Sequence, residues 1–381
     1  MTGILSNAAA HGKTPEIMTK RALNRALMAR QMLMSRVHMP ALEVIDKLAG
    51  LQAQAPNPVY FALWTRIEGF RHEELTGLIK DRRAVRIALM RSTIHLVSAQ
   101  DCLDWRPLFQ PVLDRGLKGN YGKRLTDLDL QEIASAGRAL VESQPLTLNE
   151  LGIRLSKQSE HWGGRDPEAL AMVIRNMTPL VQIPPRGLWG RSGQATYTTA
   201  EAWLDSPLQA SADLNAMVLR YLAAFGPASI KDMQVWSGLT RLKDVVERLR
   251  PQLAIFMDET GKELFDLPDA PRPSPDTPCP PRFLGEFDNI LLSHSDRSRI
   301  MEEADRRKVF TINGIIRSTI LIDGFVGGLW KLDQNQNSTK LMIEPFQPLT
   351  SQEINGLREE GKKLLEFAAP GNHVTEILFT N

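Results

Sequence analysis

Three times along this chain, helical periodicity gives way to two short β-prone runs separated by a turn, and that rhythm constrains the fold more than any other feature. In the first passage Thr19 caps a pattern in which Leu23, Ala26, Leu27 and Leu33 recur at helical spacing beside Arg21, Arg25, Arg30 and Arg36. A short helix at 41–49 stops at Gly50, an apolar stretch at 59–67 ends near Gly69, and another short helix covers 73–80. The runs 85–89 and 93–97 then flank Arg91-Ser92. Residues 125–180 are helical in pattern again, after which 180–183 and 195–199 flank the turn-rich 184–193. In the third passage helix 217–225 ends at Gly226-Pro227, helix 229–236 breaks at Gly238, helix 242–249 follows, and strands 253–257 and 263–267 pair across Gly261.

Helices followed by a two-stranded ribbon form the layout of a winged helix-turn-helix, and the segment from Ile230 to Leu249, with Gly238 in its turn, has that motif's spacing. The expected fold is therefore α+β: tandem winged helix-turn-helix domains with a C-terminal β-rich domain. The boundaries fall at 17–122, 123–207 and 208–268, with a Pro-rich linker at 269–281 and the β-rich domain at 282–381. The stretch 268–281 carries seven prolines, too many for the interior of any element, and reads as a semi-rigid linker. Beyond it, strands are expected at 310–312, 318–322, 324–329 and 341–345, then a helix at 351–367 and a last strand at 374–380. Residues 1–16 read as a loose arm.

Several function classes fall away. No apolar run is long enough to span a bilayer, and residues 1–20 lack the apolar stretch of a secretory signal. Cys102 and Cys279 cannot build a disulfide framework or a multi-cysteine metal site, and the seven histidines lack ligand spacing, so neither metal nor cofactor is expected. A reducing, cytoplasmic location follows as the default. Phosphate-loop, dinucleotide-binding, zincin and hydrolase-elbow motifs are absent. Charge is uneven: residues 1–125 hold 19 Lys+Arg against 10 Asp+Glu, and the remainder 27 against 34. A basic end of this kind suits a polyanion such as nucleic acid, or else is a solvated face with no partner.

The informative segment is Leu51-Gln52-Ala53-Gln54-Ala55-Pro56-Asn57-Pro58. Its prolines push Ala55 and Asn57 toward extended backbone. In an extended segment Gln52 and Gln54 point to the same side and present paired amides. Spacing alone points rather to two glutamines capping backbone groups at a helix end.

The combination of Gly50-Leu51-Gln52-Ala53-Gln54 with Arg91-Ser92-Thr93-Ile94-His95-Leu96 resembles the winged-helix DNA glycosylases of the AlkZ and YcaQ type. So does the run from Phe287 to Arg297, and agreement extends through Arg186-Gly187-Leu188-Trp189-Gly190 to Ile322-Asp323-Gly324-Phe325. The resemblance implies tandem winged helices around a DNA-binding concavity, with a catalytic Gln-x-Gln at Gln52 and Gln54, the AlkZ-like form. One departure is Ser92, where the pattern calls for glycine.

A neutral amide is no general base, but its oxygen can hold a water in line with C1′ and so remove part of the entropic barrier. That suffices when the leaving group is already activated, as by alkylation at N7 of a purine. The reading is therefore a monofunctional DNA glycosylase for cationic N7-alkylated purines in double-stranded DNA, including bulky adducts and interstrand crosslinks, working as a monomer. DNA contacts are expected from Arg82, Arg83, Arg86 and Arg91 at the first wing, from His95, and from Arg186, Trp189 and Arg191 in the 186–193 turn. The competing readings are exposed arginines without a partner, a structurally bonded His95 and a hairpin-packing Trp189. The alternative for the whole chain is a non-catalytic winged-helix regulator. The run Ser293-His294-Ser295-Asp296 looks like a triad but reads as structural, since adjacent residues cannot converge on one nucleophile.

Overall fold

The computed structural model describes residues 15–210, 213–335, 338–371 and 374–380. Of the expected N-terminal arm only Pro15 and Glu16 fall within them, and Glu16 opens a strand, β1 (Glu16–Met18). Helix α1 (Lys20–Arg30) follows, its first turn capped by the Thr19 hydroxyl, which accepts from the Ala22 amide.

The next elements are α2 (Ala41–Lys47), β2 (Leu51–Gln52), α3 (Pro58–Trp64), α4 (His72–Lys80), β3 (Ala84–Ala88) and β4 (Ile94–Ser98). They run helix, strand, helix, helix, strand, strand. After α5 (Ala99–Trp105) and α6 (Gln110–Tyr121), the same order recurs in α7 (Leu130–Ser143), β5 (Leu146–Thr147), α8 (Leu148–Gln158), α9 (Pro167–Met177), β6 (Leu180–Ile183) and β7 (Thr196–Thr199). Local chemistry sets these boundaries: Thr147 and Glu150 form a reciprocal capping box on α8, and Asp166 with Pro167 starts α9. Pairing of β3 with β6 fuses the two units into one six-stranded sheet of order β2-β4-β3-β6-β7-β5.

The third passage comprises α10 (Ala200–Leu204), α11 (Leu214–Phe225), α12 (Ile230–Ser237), α13 (Lys243–Leu249), β8 (Ala254–Asp258) and β9 (Glu263–Asp266). From α11 onward it repeats the order once more, with a single bridge from Ala228 to Phe265 standing for the first strand. Gly238 ends α12 in the left-handed region, where glycine carries no Cβ penalty. Strand β1 adds to β8 in parallel, and Arg30 of α1 makes a fully buried two-point ion pair with Asp266. The N-terminal segment thus docks on the third unit rather than on the first.

The C-terminal part is a five-stranded sheet in chain order, β10 (Arg282–Leu284), β11 (Thr319–Ile322), β12 (Phe325–Gln334), β13 (Ser338–Pro345) and β14 (Val374–Phe379). A short α14 (Arg306–Val309) precedes β11, and α15 (Ser351–Ala368) buries Leu357, Leu364 and Leu365 in one core with Leu341 and Ile343 of β13. The strand expected at 310–312 is not one: Phe310 makes a lone bridge to Ile316 across a turn, and Ile312 is fully exposed. No helix of the described residues is long and apolar enough to cross a membrane.

Candidate catalytic cleft and nucleic-acid interface

Gln52 and Gln54 lie on and just beyond β2, at the edge of the six-stranded sheet. The strand covers only Leu51–Gln52, residues 54–56 bend, and Asn57, expected to be extended ahead of Pro58, is instead right-handed helical (φ −74°, ψ −33°) because it caps the start of α3. Gln52 is buried and sits opposite His95 of β4. Its Oε1 accepts from Arg91 Nη2 at 2.7 Å. Gln54 is exposed, with its Oε1 accepting from the Ile94 amide at 2.8 Å. Each carboxamide oxygen is thus oriented by one donor and keeps a second lone pair.

Two side chains hold the motif's backbone. Arg86 Nη2 donates to the carbonyl of Ala53, between the two glutamines, at 2.6 Å, and its Nε donates to Gln182 of β6. From the other side Asn289 Nδ2 donates to the carbonyls of Gly50 at 2.6 Å and Leu48 at 3.2 Å, while its Oδ1 faces the Gln52 amide at 3.4 Å. Asp288, next in chain, forms a fully buried two-point ion pair with Arg66, both contacts 2.8 Å.

An open cleft of about 970 Å³ begins directly after Gln54. One wall is Ala55, Pro56, Asn57 and Pro58 with Phe61; the opposite walls are Arg186 and Arg191–Gly193 of the β6–β7 hairpin and the face of β12 and β13 around Trp330. Arg317 and Lys331 add positive charge, and Glu286 and Glu344 are its carboxylates. The hairpin is fixed where Gly187 (φ +97°) lies so close to Arg86 that a Cβ would meet the Arg86 Cδ at 2.7 Å, and Tyr60 donates to the Gly187 carbonyl.

The expected DNA-contacting residues divide. Arg186 and Arg191 line the cleft, Arg186 with Nη1 bonded to the Gly193 carbonyl. Arg82 and Arg83 are exposed at the turn into β3, Arg82 lying over the Trp203 ring. Arg91 is half-buried against Gln52 and the carbonyl of Trp236, and burial pulls its pKa down to about 10. Arg86 and His95 do not reach the surface. Arg86 is internal, its pKa likewise pulled to about 10 by burial, and it serves the motif rather than a phosphate. His95 donates to the Thr93 carbonyl just ahead of its strand, and burial with the nearby Arg91 drives its pKa down to about 3, leaving the ring uncharged at neutral pH. Trp189 turns inward: it stacks on His72 at 3.9 Å and meets Tyr60, Phe61 and Phe367 edge-on or tilted, so it anchors the hairpin instead of projecting from it.

His294 is buried between Ser293 and the Phe225 carbonyl, and Ser295 bonds Asp232, which makes that run structural. Asp288 and Asn289 had no recognisable signature beyond the Phe287–Arg297 run; Arg66, Glu286, Arg317 and Lys331 had none. Isolated charged residues in sequence say nothing of the cavity they line.

The profile of the family described as DNA glycosylase AlkZ-like matches residues 45–367. The interstrand DNA cross-link repair glycosylase of Streptomyces sahachiroi is 22% identical over 360 residues, spanning 87% of this chain and 92% of that protein. The solved structure of the Streptomyces sahachiroi DNA glycosylase AlkZ is similar in fold, with a TM-score of 0.79 at 19% identity over 96% of this chain and 100% of that one.

Proposed function

The chain belongs to the AlkZ-like DNA glycosylases, hydrolases of the N-glycosyl bond, and we propose that within that family it releases N7-alkylated, cationic purines from double-stranded DNA, using a water positioned by Gln52 and Gln54. The observation that carries this reading is the placement of the pair: two amides with oriented oxygens, on a backbone pinned from both sides, with Gln54 directly preceding the Ala55–Pro58 wall of a cleft lined with arginines. Alkylation at N7 places a positive charge on the purine, so breaking the bond from C1′ to N9 sends the electron pair to the base and neutralises it, with no enzymatic acid needed. The free lone pairs of the carboxamide oxygens accept from the attacking water and hold it in line.

The three repeats of helix, strand, helix, helix, strand, strand are then tandem winged helices, divided near 17–122, 123–207 and 208–268, with β1 and α1 docked on the third and the β-rich part at 282–381 closing the cleft. Arg186 and Arg191, with Arg82 and Arg83 along the same sheet, would neutralise backbone phosphates. The cleft is open rather than a closed base-flipping pocket, which suits bulky adducts and crosslinked purines that cannot be swung fully free. A multi-unit chain that frames its own cleft suits a monomer working in the cytoplasm.

The test is duplex DNA carrying N7-methylguanine, with alkali-labile abasic sites counted. We expect cleavage well above the uncatalysed rate, lost by about 10²-fold or more in Gln52→Ala and Gln54→Ala while duplex affinity is kept. Intact binding with no abasic sites would make the chain a DNA-binding regulator; full activity in both variants would remove the glutamines from the mechanism.

A further inference from the structure

Water that adds to C1′ must give up a proton, and no amide near neutral pH will take it. The glycosidic bond breaks with its electron pair leaving on N9. An oxygen lone pair of water then forms the bond to C1′, and one proton must pass to a base. On the reading of the preceding section, a base is therefore missing from the pair Gln52 and Gln54.

The cleft contains a carboxylate suited to that task. Glu286 lines it, half-buried beside the apolar walls of Phe61 and Trp330, and has no hydrogen-bond or ion-pair partner among the described residues. Its position is closely fixed. Gly285 packs so tightly on the start of α3 that a Cβ would stand 3.0 Å from the Pro58 carbonyl and 3.2 Å from Phe61. On the other side Phe287 is held in the left-handed region (φ 59°), an uncommon and strained conformation for a bulky residue. Asp288 and Asn289 then lock the segment to Arg66 and to the backbone around Gln52. One clamp thus sets both the glutamine pair and Glu286. Burial raises the Glu286 pKa from its ordinary value, the direction that favours a base working near neutral pH. Arg186, Arg191, Arg317 and Lys331 face the same cleft and Glu344 lies at its exposed edge, but none pairs with Glu286; on its own segment Asp288 is spent on Arg66.

We propose that Glu286 is the proton acceptor of the reaction: its carboxylate, in the cleft that opens beside Gln54, takes the proton released as water adds to C1′. Glu286→Gln keeps the shape and removes the acceptor; Glu286→Asp keeps the acceptor and shortens its reach. Single-turnover rates on N7-methylguanine duplex are measured across pH for the wild type and both variants, with thermal unfolding as a check on folding. The wild-type rate should fall on the acid side as Glu286 becomes protonated. Glu286→Gln should lose about 10²-fold in rate at neutral pH, lack that acid limb and bind duplex as before, while Glu286→Asp recovers part of the rate together with the limb. A Glu286→Gln rate within about threefold of wild type, or an unchanged acid limb, overturns the assignment and leaves the glycosylase reading standing. Absence of abasic sites with the wild type itself sinks that reading, and this assignment with it.

Discussion

Replacing Arg86 with methionine sets two opposed effects against each other. Arg86 is buried with no carboxylate beside it and one nitrogen, Nη1, lacking any partner. The drop of its pKa from 12.5 to about 10 means that the charged form is disfavoured by roughly 3 kcal/mol relative to water. Methionine removes that burden and fills most of the space. It also strands two buried acceptors, the Ala53 carbonyl and Gln182 Oε1, at about 1–3 kcal/mol each. The two sides nearly cancel, so net stability should change by between roughly nothing and a loss of about 3 kcal/mol. With an unfolding entropy of about 2.1 cal/mol/K per residue over 381 residues, that is a Tm shift of no more than about 4 °C. Activity should respond quite differently. Ala53 separates Gln52 from Gln54, and freeing its carbonyl lets both amides shift; displacement by about 1 Å costs roughly 10²-fold in rate. Calorimetry and single-turnover excision of N7-methylguanine on the same preparation provide the comparison. A Tm loss near 10 °C would show that Arg86 mainly supports the core, and a rate within a few-fold of wild type would show that the Ala53 anchor is irrelevant to chemistry.

Asp288→Asn should behave in the opposite way, because it leaves the Arg66 cation buried without its counter-charge; a loss of about 3–5 kcal/mol and a visibly lower Tm are expected, largely restored in the apolar pair Arg66→Met with Asp288→Leu. Restoration failing in the pair would mean that the contact acts through shape rather than charge. Arg186→Ala with Arg191→Ala should weaken binding to undamaged duplex and lower the slope of log K against log salt by about two, as for two lost phosphate contacts. An unchanged slope would place the duplex elsewhere on the protein.

The ribbons were legible because their β-branched and apolar runs sit between obvious turn residues: 180–183 coincides with β6, and 93–97 differs from β4 by one residue at each end. Two-residue strands such as β2 and β5 were not, since nothing in Leu51-Gln52 or Leu146-Thr147 favours a strand apart from the partner waiting across the sheet. The same limit explains Arg86 and His95. Each alternates with apolar neighbours, and alternation in a half-exposed sheet would turn it outward. Here β3 and β4 are buried on both faces, so the alternation carries no information about solvent. Ser92 was visible as a residue standing where glycine is expected, and the reason is its backbone: φ is 58°, and Arg91 before it is at 55°.

The clamp from Asn289 to Gln52 spans 237 residues of sequence. During synthesis the glutamine segment therefore emerges long before the group that fixes it, and Glu286 and the sheet that walls the cleft arrive later still than the two fused N-terminal units. A chain cut short before residue 285 can retain a basic surface for DNA while lacking an assembled centre. The proposed centre is therefore assembled only after the segment around Asn289 has been made.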